Sequence, residues 1–131
     1  MAKPSVLISV RDPADAFALA RMFTDAGLSA IADTSARVVE LASRYCPSLI
    51  VLDVEQGRAG GAELLSELRR NLATRGVRII VVSSFDDEKA RAAAASVGAL
   101  AFAVKPFDCA FVRAIAALVR ATEAAVAAAS A

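Results

Sequence analysis

Short apolar runs rich in valine and isoleucine alternate along the chain with stretches whose apolar residues recur at helical spacing. Each apolar run is continuous, as in parallel strands that helices cover on both faces. The pattern predicts five strands, at about 6–10, 28–32, 48–53, 78–83 and 99–104. It predicts five helices, at about 13–26, 34–46, 62–74, 86–96 and from 108 onward.

This alternation predicts an α/β protein with a doubly wound, five-stranded parallel sheet, a (βα)5 fold of flavodoxin type. The expected strand order is 2-1-3-4-5. A length of 131 residues is typical of one domain, so 1–131 is taken as a single domain. Its core is expected at about 5–120, and the alanine-rich tail at about 121–131 is expected to fray.

Helical spacing also predicts which side chains face the core. The predicted buried residues are Phe17, Leu19, Ala20 and Phe23 in the first helix and Leu64, Leu65, Leu68 and Leu72 in the third. The two cysteines, Cys46 and Cys109, form no CxxC motif. Each is expected to be a small buried side chain without a disulfide, as in a reducing cytoplasm.

Charge and composition exclude several classes of function. Fifteen basic and fourteen acidic side chains leave a net charge of +1, which argues against binding to nucleic acid. No apolar run is long enough to span a membrane, and the N-terminus shows no secretory signal, so we expect a cytoplasmic protein. The sequence contains no histidine. This excludes Ser-His-Asp and Cys-His catalysis, histidine-based zinc sites and a phosphohistidine carrier.

Three chemically active side chains stand where predicted strands end. Asp53 ends the third strand, Ser83 ends the fourth, and Lys105 follows the fifth, before Pro106. In parallel sheets the carboxyl ends of the strands form the site. A carboxylate can act as a covalent nucleophile, and a hydroxyl and an ammonium can hold negatively charged oxygens.

In these three strand-end residues the chain resembles the receiver domain of bacterial two-component response regulators, the CheY-like family. The resemblance covers about 5–120. The spacing from Gly98 through Phe102 to Lys105-Pro106-Phe107 is similar to the family's closing motif. Gly61, eight residues after the aspartate, also stands where the family usually has glycine.

The resemblance implies phosphoryl signalling. Asp53 matches the aspartate that accepts a phosphoryl group from a histidine kinase. Ser83 matches the hydroxyl residue that contacts a phosphate oxygen, and Lys105 matches the lysine that pairs with the phosphoryl group. Phe102 matches the aromatic residue that changes rotamer on activation, although plain core packing explains it more simply.

The end of the first strand departs from the family pattern. Receivers usually have two adjacent acidic residues there, which help to hold Mg²⁺, whereas this chain has Val10 and Arg11. Asp12 comes one place late and is best explained as the N-cap of the first helix. Mg²⁺ prefers carboxylate and water oxygens. Its candidate ligands are therefore Asp12, Asp53 and Glu55, in a weakened site, and no other cofactor is expected.

Arg11 and Glu55 each allow several interpretations. Arg11 could pair with Asp53 and block the metal site, which is the preferred interpretation, replace Mg²⁺ beside a transferred phosphoryl group, or point to solvent. Glu55 could pair with Arg11 or Arg58, bind a metal, or face solvent, which is preferred. The loop also departs from the family, because Gly57-Arg58 stands where Pro-Gly is common.

The resulting expectation is a stand-alone receiver-like module of a phosphorelay, with no enzymatic activity beyond slow self-phosphorylation and dephosphorylation at Asp53. Expected partners are a histidine kinase or phosphotransfer protein and a downstream protein. A homodimer through helix four, strand five and helix five is compatible with the alanines there. The alternatives are a phosphorylation-independent pseudo-receiver and a flavodoxin-like small-molecule-binding module.

Overall fold

In a computed structural model, which describes residues 5–55 and 61–130, the protein alternates strands and helices. The described strands are β1 (Val6–Ser9), β2 (Ala30–Asp33), β3 (Leu49–Asp53), β4 (Arg78–Ser83) and β5 (Ala101–Val104). The described helices are α1 (Pro13–Asp25), α2 (Val38–Tyr45), α3 (Gly61–Arg70), α4 (Glu88–Ser96) and α5 (Cys109–Ser130). Met1–Pro4 and the glycine-rich loop at 56–60, with Gly57 and Arg58, lie outside the described residues.

The sheet is parallel, with the order β2-β1-β3-β4-β5, which confirms the predicted topology. Its register brings the three polar strand ends together. Asp53 pairs with Val82, so Ser83 lies one residue beyond it. Ser83 in turn pairs with Val104, so Lys105 lies one residue beyond Ser83.

A hydrophobic core lies on each face of the sheet, because side chains of a strand point alternately to the two faces. On one face, Phe23 of α1 and Val112 of α5 pack with Val51 and Ile80 of the central strands. On the other face, side chains of α2, α3 and α4 cover the same strands. That core contains Leu7, Val38, Leu41, Ile50, Leu52, Leu65, Leu68, Val81 and Ala94.

Helix α1 has the predicted bounds, and its predicted buried face is confirmed at Leu19 and Phe23 but not at Phe17. Asp12 is its N-cap and Pro13 its first residue, and Gly27 follows its end with a φ of +94°. Phe17, predicted to be buried, is 80% exposed. The buried stripe is Ala16, Leu19 and Phe23, at the i, i+3 and i+7 spacing of a helix face. Phe17 lies one residue, about 100° of helix rotation, away from the start of that stripe.

Helix α2 begins at Val38, about four residues later than predicted. The carboxylate of Asp33 accepts hydrogen bonds from the backbone N–H groups of Ser35, at 3.2 Å, and of Arg37, at 2.9 Å. Ala36 between them has a φ of +60°. The aspartate therefore stabilises a turn that delays the helix.

Helix α3 ends at Arg70, before the predicted end at about 74. The Asn71 side chain accepts a hydrogen bond from the N–H of Ala73 at 2.9 Å. The Thr74 hydroxyl donates to the carbonyl of Leu68 at 2.7 Å. These bonds close a turn instead of continuing the helix. As a result, Leu72, predicted to be buried, is 79% exposed.

Two further expectations are corrected near the helix ends. Both cysteines are free, as predicted, but exposed and not buried. Cys46 is the C-cap of α2, and Cys109 is the first residue of α5, which places both at the surface.

The tail expected to fray is helical as far as Ser130. Over the described residues, no helix is long and apolar enough to cross a membrane.

Candidate functional site

Asp53 is a buried carboxylate at the carboxyl end of the central strand β3. Its side chain is 1% exposed. One oxygen accepts the backbone N–H of Glu55 at 2.9 Å, and the other accepts the backbone N–H of Arg11 at 3.3 Å. A buried charge is costly unless hydrogen-bond donors compensate for it. The turn after β3 and the end of β1 supply those donors, so both carboxylate oxygens are held in place.

Ser83 and Lys105 lie beside Asp53 on the two following strands. The Ser83 side chain is buried, and its Oγ accepts the N–H of Phe85 at 3.1 Å. This contact uses a lone pair, so the hydroxyl proton can still be donated. The backbone N–H of Lys105 donates to the carbonyl of Ser83 at 3.0 Å, which continues the pairing of β4 with β5. The structure therefore brings together the three strand-end residues that the sequence predicts.

The Lys105 ammonium pairs with a carboxylate that the strand-end pattern does not predict. Its Nζ lies 2.6 Å from Oδ2 of Asp15. Burial alone would lower the pKa of Lys105, but the hydrogen bond with Asp15 and the negative charges of Asp53, Asp15 and Glu55 together raise it above the ordinary value. The ammonium therefore stays protonated in a pocket with an excess of carboxylates.

A sequence signal for Asp15 does exist. Asp15 is the acidic residue in the first turn of α1, and α1 follows the end of β1. The start of a helix that follows a parallel strand lies at the same edge of the sheet as the strand's carboxyl end. Whether an acidic residue there faces the pocket depends on the rotation of the helix about its own axis. The sequence does not determine that rotation.

Glu55 lies in the pocket and does not face solvent as expected. Its Oε1 accepts the backbone N–H of Ser84 at 3.1 Å, and the residue is half-buried. This bond ties the turn after β3 to the turn after β4. Within the described ranges no ion pair joins Glu55 to Arg11, while Arg58 lies outside them.

The predicted ion pair between Arg11 and Asp53 is wrong. Arg11 contacts Asp53 through its backbone N–H only, and its side chain is exposed. Val10 before it is fully buried, and the chain turns outward after it. In this position the guanidinium keeps its hydration, which avoids the cost of burying a second charge.

Asp12 acts as the N-cap of α1, as the sequence predicts. Its carboxylate accepts the N–H of Ala14 at 2.9 Å and is exposed. The carboxylates of Asp53 and Glu55 offer the oxygen chemistry that Mg²⁺ accepts. Among residues 5–55 and 61–130, no group of three or more acidic, cysteine or histidine side chains is arranged to hold a metal ion. Mg²⁺ binding by Asp12, Asp53 and Glu55 stays a prediction.

Phe102 on β5 is half-buried and packs against the core beneath α4. The guanidinium carbon of Arg91 lies 4.8 Å from the centre of its ring, a distance suited to a cation–π contact. Core packing is thus observed, and the change of rotamer stays a prediction.

Two cavities lie at opposite ends of the central strands. A cavity of about 300 Å³ adjoins the pocket and is lined by residues that include Glu55, Ser83 and Phe85. A larger one, about 520 Å³, is lined by residues that include Pro47 and Arg78, at the amino ends of β3 and β4. The smaller cavity adjoins the candidate site, because Ser83 and Glu55 line it; Asp53 and Lys105 are not among its lining residues.

Comparison with known proteins agrees with this arrangement. Residues 6–117 match the family model of the response regulator receiver domain. The transcriptional regulatory protein PdtaR of Mycobacterium tuberculosis is 30% identical over 92 residues, which are 69% of this chain and 43% of that protein. The chain therefore spans less than half the length of this curated relative.

Solved structures show the same fold. The chemotaxis protein CheY4 of Vibrio cholerae has a TM-score of 0.76 at 19% identity, over 91% of this chain and 98% of that one. A sensor protein from Polaromonas has a TM-score of 0.79 at 24% identity, over 88% of this chain and 94% of that one. At these identities the likeness describes the fold alone.

Proposed function

The chain belongs to the response regulator receiver domain family, and on that premise we propose that it accepts a phosphoryl group on Asp53 and passes the signal on by protein contacts. The donor is a histidine kinase or a phosphotransfer protein, and the setting is the cytoplasm. The observation that carries this proposal is the buried Asp53 carboxylate with Ser83 and Lys105 on the neighbouring strand ends.

The transfer step follows from the chemistry of these groups. A carboxylate oxygen of Asp53 attacks the phosphorus of a phosphohistidine, and an O–P bond forms while the N–P bond breaks. The imidazole leaves and takes up a proton. The new acyl phosphate adds negative oxygens to the pocket, and the Ser83 hydroxyl and the Lys105 ammonium are donors that can hold them.

Self-phosphorylation from small phosphoryl donors and slow hydrolysis of the acyl phosphate are the only reactions we propose for this site. In the hydrolysis water attacks phosphorus, the O–P bond to Asp53 breaks, and inorganic phosphate leaves. The chain is thus a phosphoprotein in a signalling relay and not an enzyme acting on a separate substrate.

We propose that Mg²⁺ binds weakly, through Asp53 and Glu55 and with water completing its coordination. When bound, the ion would supply positive charge that offsets the negative charge of a transferred phosphoryl group. Val10 and Arg11 contribute no carboxylate where the family usually has two, and Asp12 caps α1 from an exposed position, whereas Asp53 is buried and Glu55 half-buried. The Asp53 and Glu55 carboxylates therefore carry the binding.

For the output, we propose that a downstream protein or a second copy of the chain binds the surface formed by α4, β5 and α5. Its exposed positions include Ala92, Ala95, Ala110 and Ala114. Such short side chains let another helix approach closely. Phe102, on β5 in this surface, is the residue whose rotamer we expect to report phosphorylation.

Transfer from a protein donor tests this function. The histidine kinases of the source organism are phosphorylated with labelled ATP and mixed with the chain in the presence of Mg²⁺. We expect at least one kinase to lose its label to the wild-type chain within minutes. Failure of every kinase in the complete set to transfer label would contradict the proposal and favour a phosphorylation-independent pseudo-receiver.

A further inference from the structure

The pocket contains three carboxylates around one ammonium. The pKa of Lys105 is raised by the negative charges of Asp15, Asp53 and Glu55. Of these three carboxylates, only Asp15 lies within ion-pair distance of the Lys105 Nζ, at 2.6 Å. Asp53 instead uses backbone N–H groups as its partners. In this state the lysine therefore forms its ion pair with α1 and not with the proposed acceptor.

The pair between Asp15 and Lys105 is better shielded from water than the other ion pairs of the described residues. Their side chains are 20% exposed for Lys105 and 30% for Asp15. In the other three pairs at least one partner is more than half exposed. Screening by water weakens exposed pairs most, so Asp15 holds the ammonium more firmly than a surface partner would.

We propose that Asp15 is a positioning residue, which fixes the Lys105 ammonium in the unphosphorylated chain and competes for it with a phosphoryl group on Asp53. The positioning stands on the geometry, and the competition rests on the proposed function. A ligand that needs the free ammonium binds more weakly when only a fraction of the molecules present it. Asp15 therefore lowers the affinity of the pocket for a phosphoryl group.

Two variants on the same helix separate this role from a general effect of charge. Asp15→Asn keeps the shape of the side chain and removes its charge. Asp25→Asn is the matched control, because Asp25 forms an exposed pair with Arg21 at 3.2 Å near the other end of α1. Asp15→Glu restores the charge on a longer side chain. Thermal unfolding shows whether each variant is folded.

The first readout is the ¹⁵N NMR signal of the Lys105 ammonium in the absence of any phosphoryl donor. We expect the signal to shift in Asp15→Asn, to remain unchanged in Asp25→Asn, and to return toward its wild-type position in Asp15→Glu. An identical signal in the wild-type chain and Asp15→Asn would overturn the positioning role, whatever the chain does with phosphoryl groups.

The second readout is the affinity for beryllium fluoride, which adds to a carboxylate and imitates a phosphoryl group, titrated with MgCl₂ present. Loss of one partly exposed ion pair corresponds to a change of roughly threefold to fivefold in the dissociation constant. We expect Asp15→Asn to bind that much more tightly, while Asp25→Asn binds as the wild type does. Equal or weaker binding by Asp15→Asn would overturn the competition. Absence of binding in the wild type and in every variant would overturn both the competition and the proposed function. The NMR signal of Lys105 would still decide whether Asp15 positions the ammonium.

Discussion

Replacement of Asp53 by asparagine is expected to abolish formation of the phosphoryl adduct. The amide has nearly the same shape as the carboxylate but no negatively charged oxygen to attack phosphorus. In the wild type, both carboxylate oxygens accept backbone N–H groups, from Glu55 and Arg11. The amide keeps one acceptor oxygen and turns its NH₂ group toward the other donor. We therefore also expect a loss of about 1–3 kcal/mol in the free energy of unfolding.

Intact-protein mass after incubation with acetyl phosphate measures the first effect, and urea unfolding measures the second. The control is Asp25→Asn, because the Asp25 side chain is 65% exposed and lies far from the pocket along α1. That variant should form the adduct at the wild-type rate. Equal adduct formation by Asp53→Asn would mean that another residue accepts the phosphoryl group.

The second large effect is expected at Phe23, which anchors α1 on the sheet. Phe23 is 2% exposed and packs in the same core as Val51 and Ile80. Phe23→Ala leaves a cavity and removes buried apolar area, so it should lower the free energy of unfolding by about 3–5 kcal/mol. Because α1 carries Asp15 to the pocket, a loosened helix should also disturb Lys105.

Phe17→Ala is the matched control on the same helix. Phe17 is 80% exposed, and surface substitutions of this kind change stability by about 0.5 kcal/mol or less. Urea unfolding of both variants gives the comparison. Similar losses at the two positions would show that Phe17 packs against the protein and that the described rotation of α1 is wrong.

The sequence predicts the fold well because the strands are buried on both faces. In β3 and β4 the apolar run continues through the strand, and turn residues mark the ends, so these strands have their predicted bounds within one residue. The strand-end residues Asp53, Ser83 and Lys105 follow from the same argument. Their positions depend on strand register, which the hydrophobic pattern determines.

The remaining features depend on contacts between distant parts of the chain. Whether Glu55 faces solvent is decided by the N–H of Ser84, a residue 29 positions later. Whether Lys105 pairs with Asp53 or with Asp15 depends on how α1 is rotated about its axis. The exposed side chain of Arg11 depends on the turn that follows Val10. No local pattern in the sequence determines these directions.

Helix ends show a similar limit, at shorter range. Asp33 and Asn71 have side chains that can bond to the backbone a few residues away, and such bonds compete with continuation of a helix. Periodicity alone extends α2 and α3 through these turns. The apolar spacing also predicts burial of Phe17 and Leu72, but Phe17 lies outside the buried stripe of α1 and Leu72 lies beyond the end of α3.

The most direct test of phosphorylation at Asp53 is the intact mass of the wild-type chain after incubation with acetyl phosphate, in Mg²⁺ and in EDTA. Peptide analysis then locates the modified residue. We expect one phosphoryl group per chain, on Asp53, formed faster with Mg²⁺ than with EDTA. Absence of any adduct under both conditions would contradict this expectation and indicate a receiver fold that works without phosphorylation.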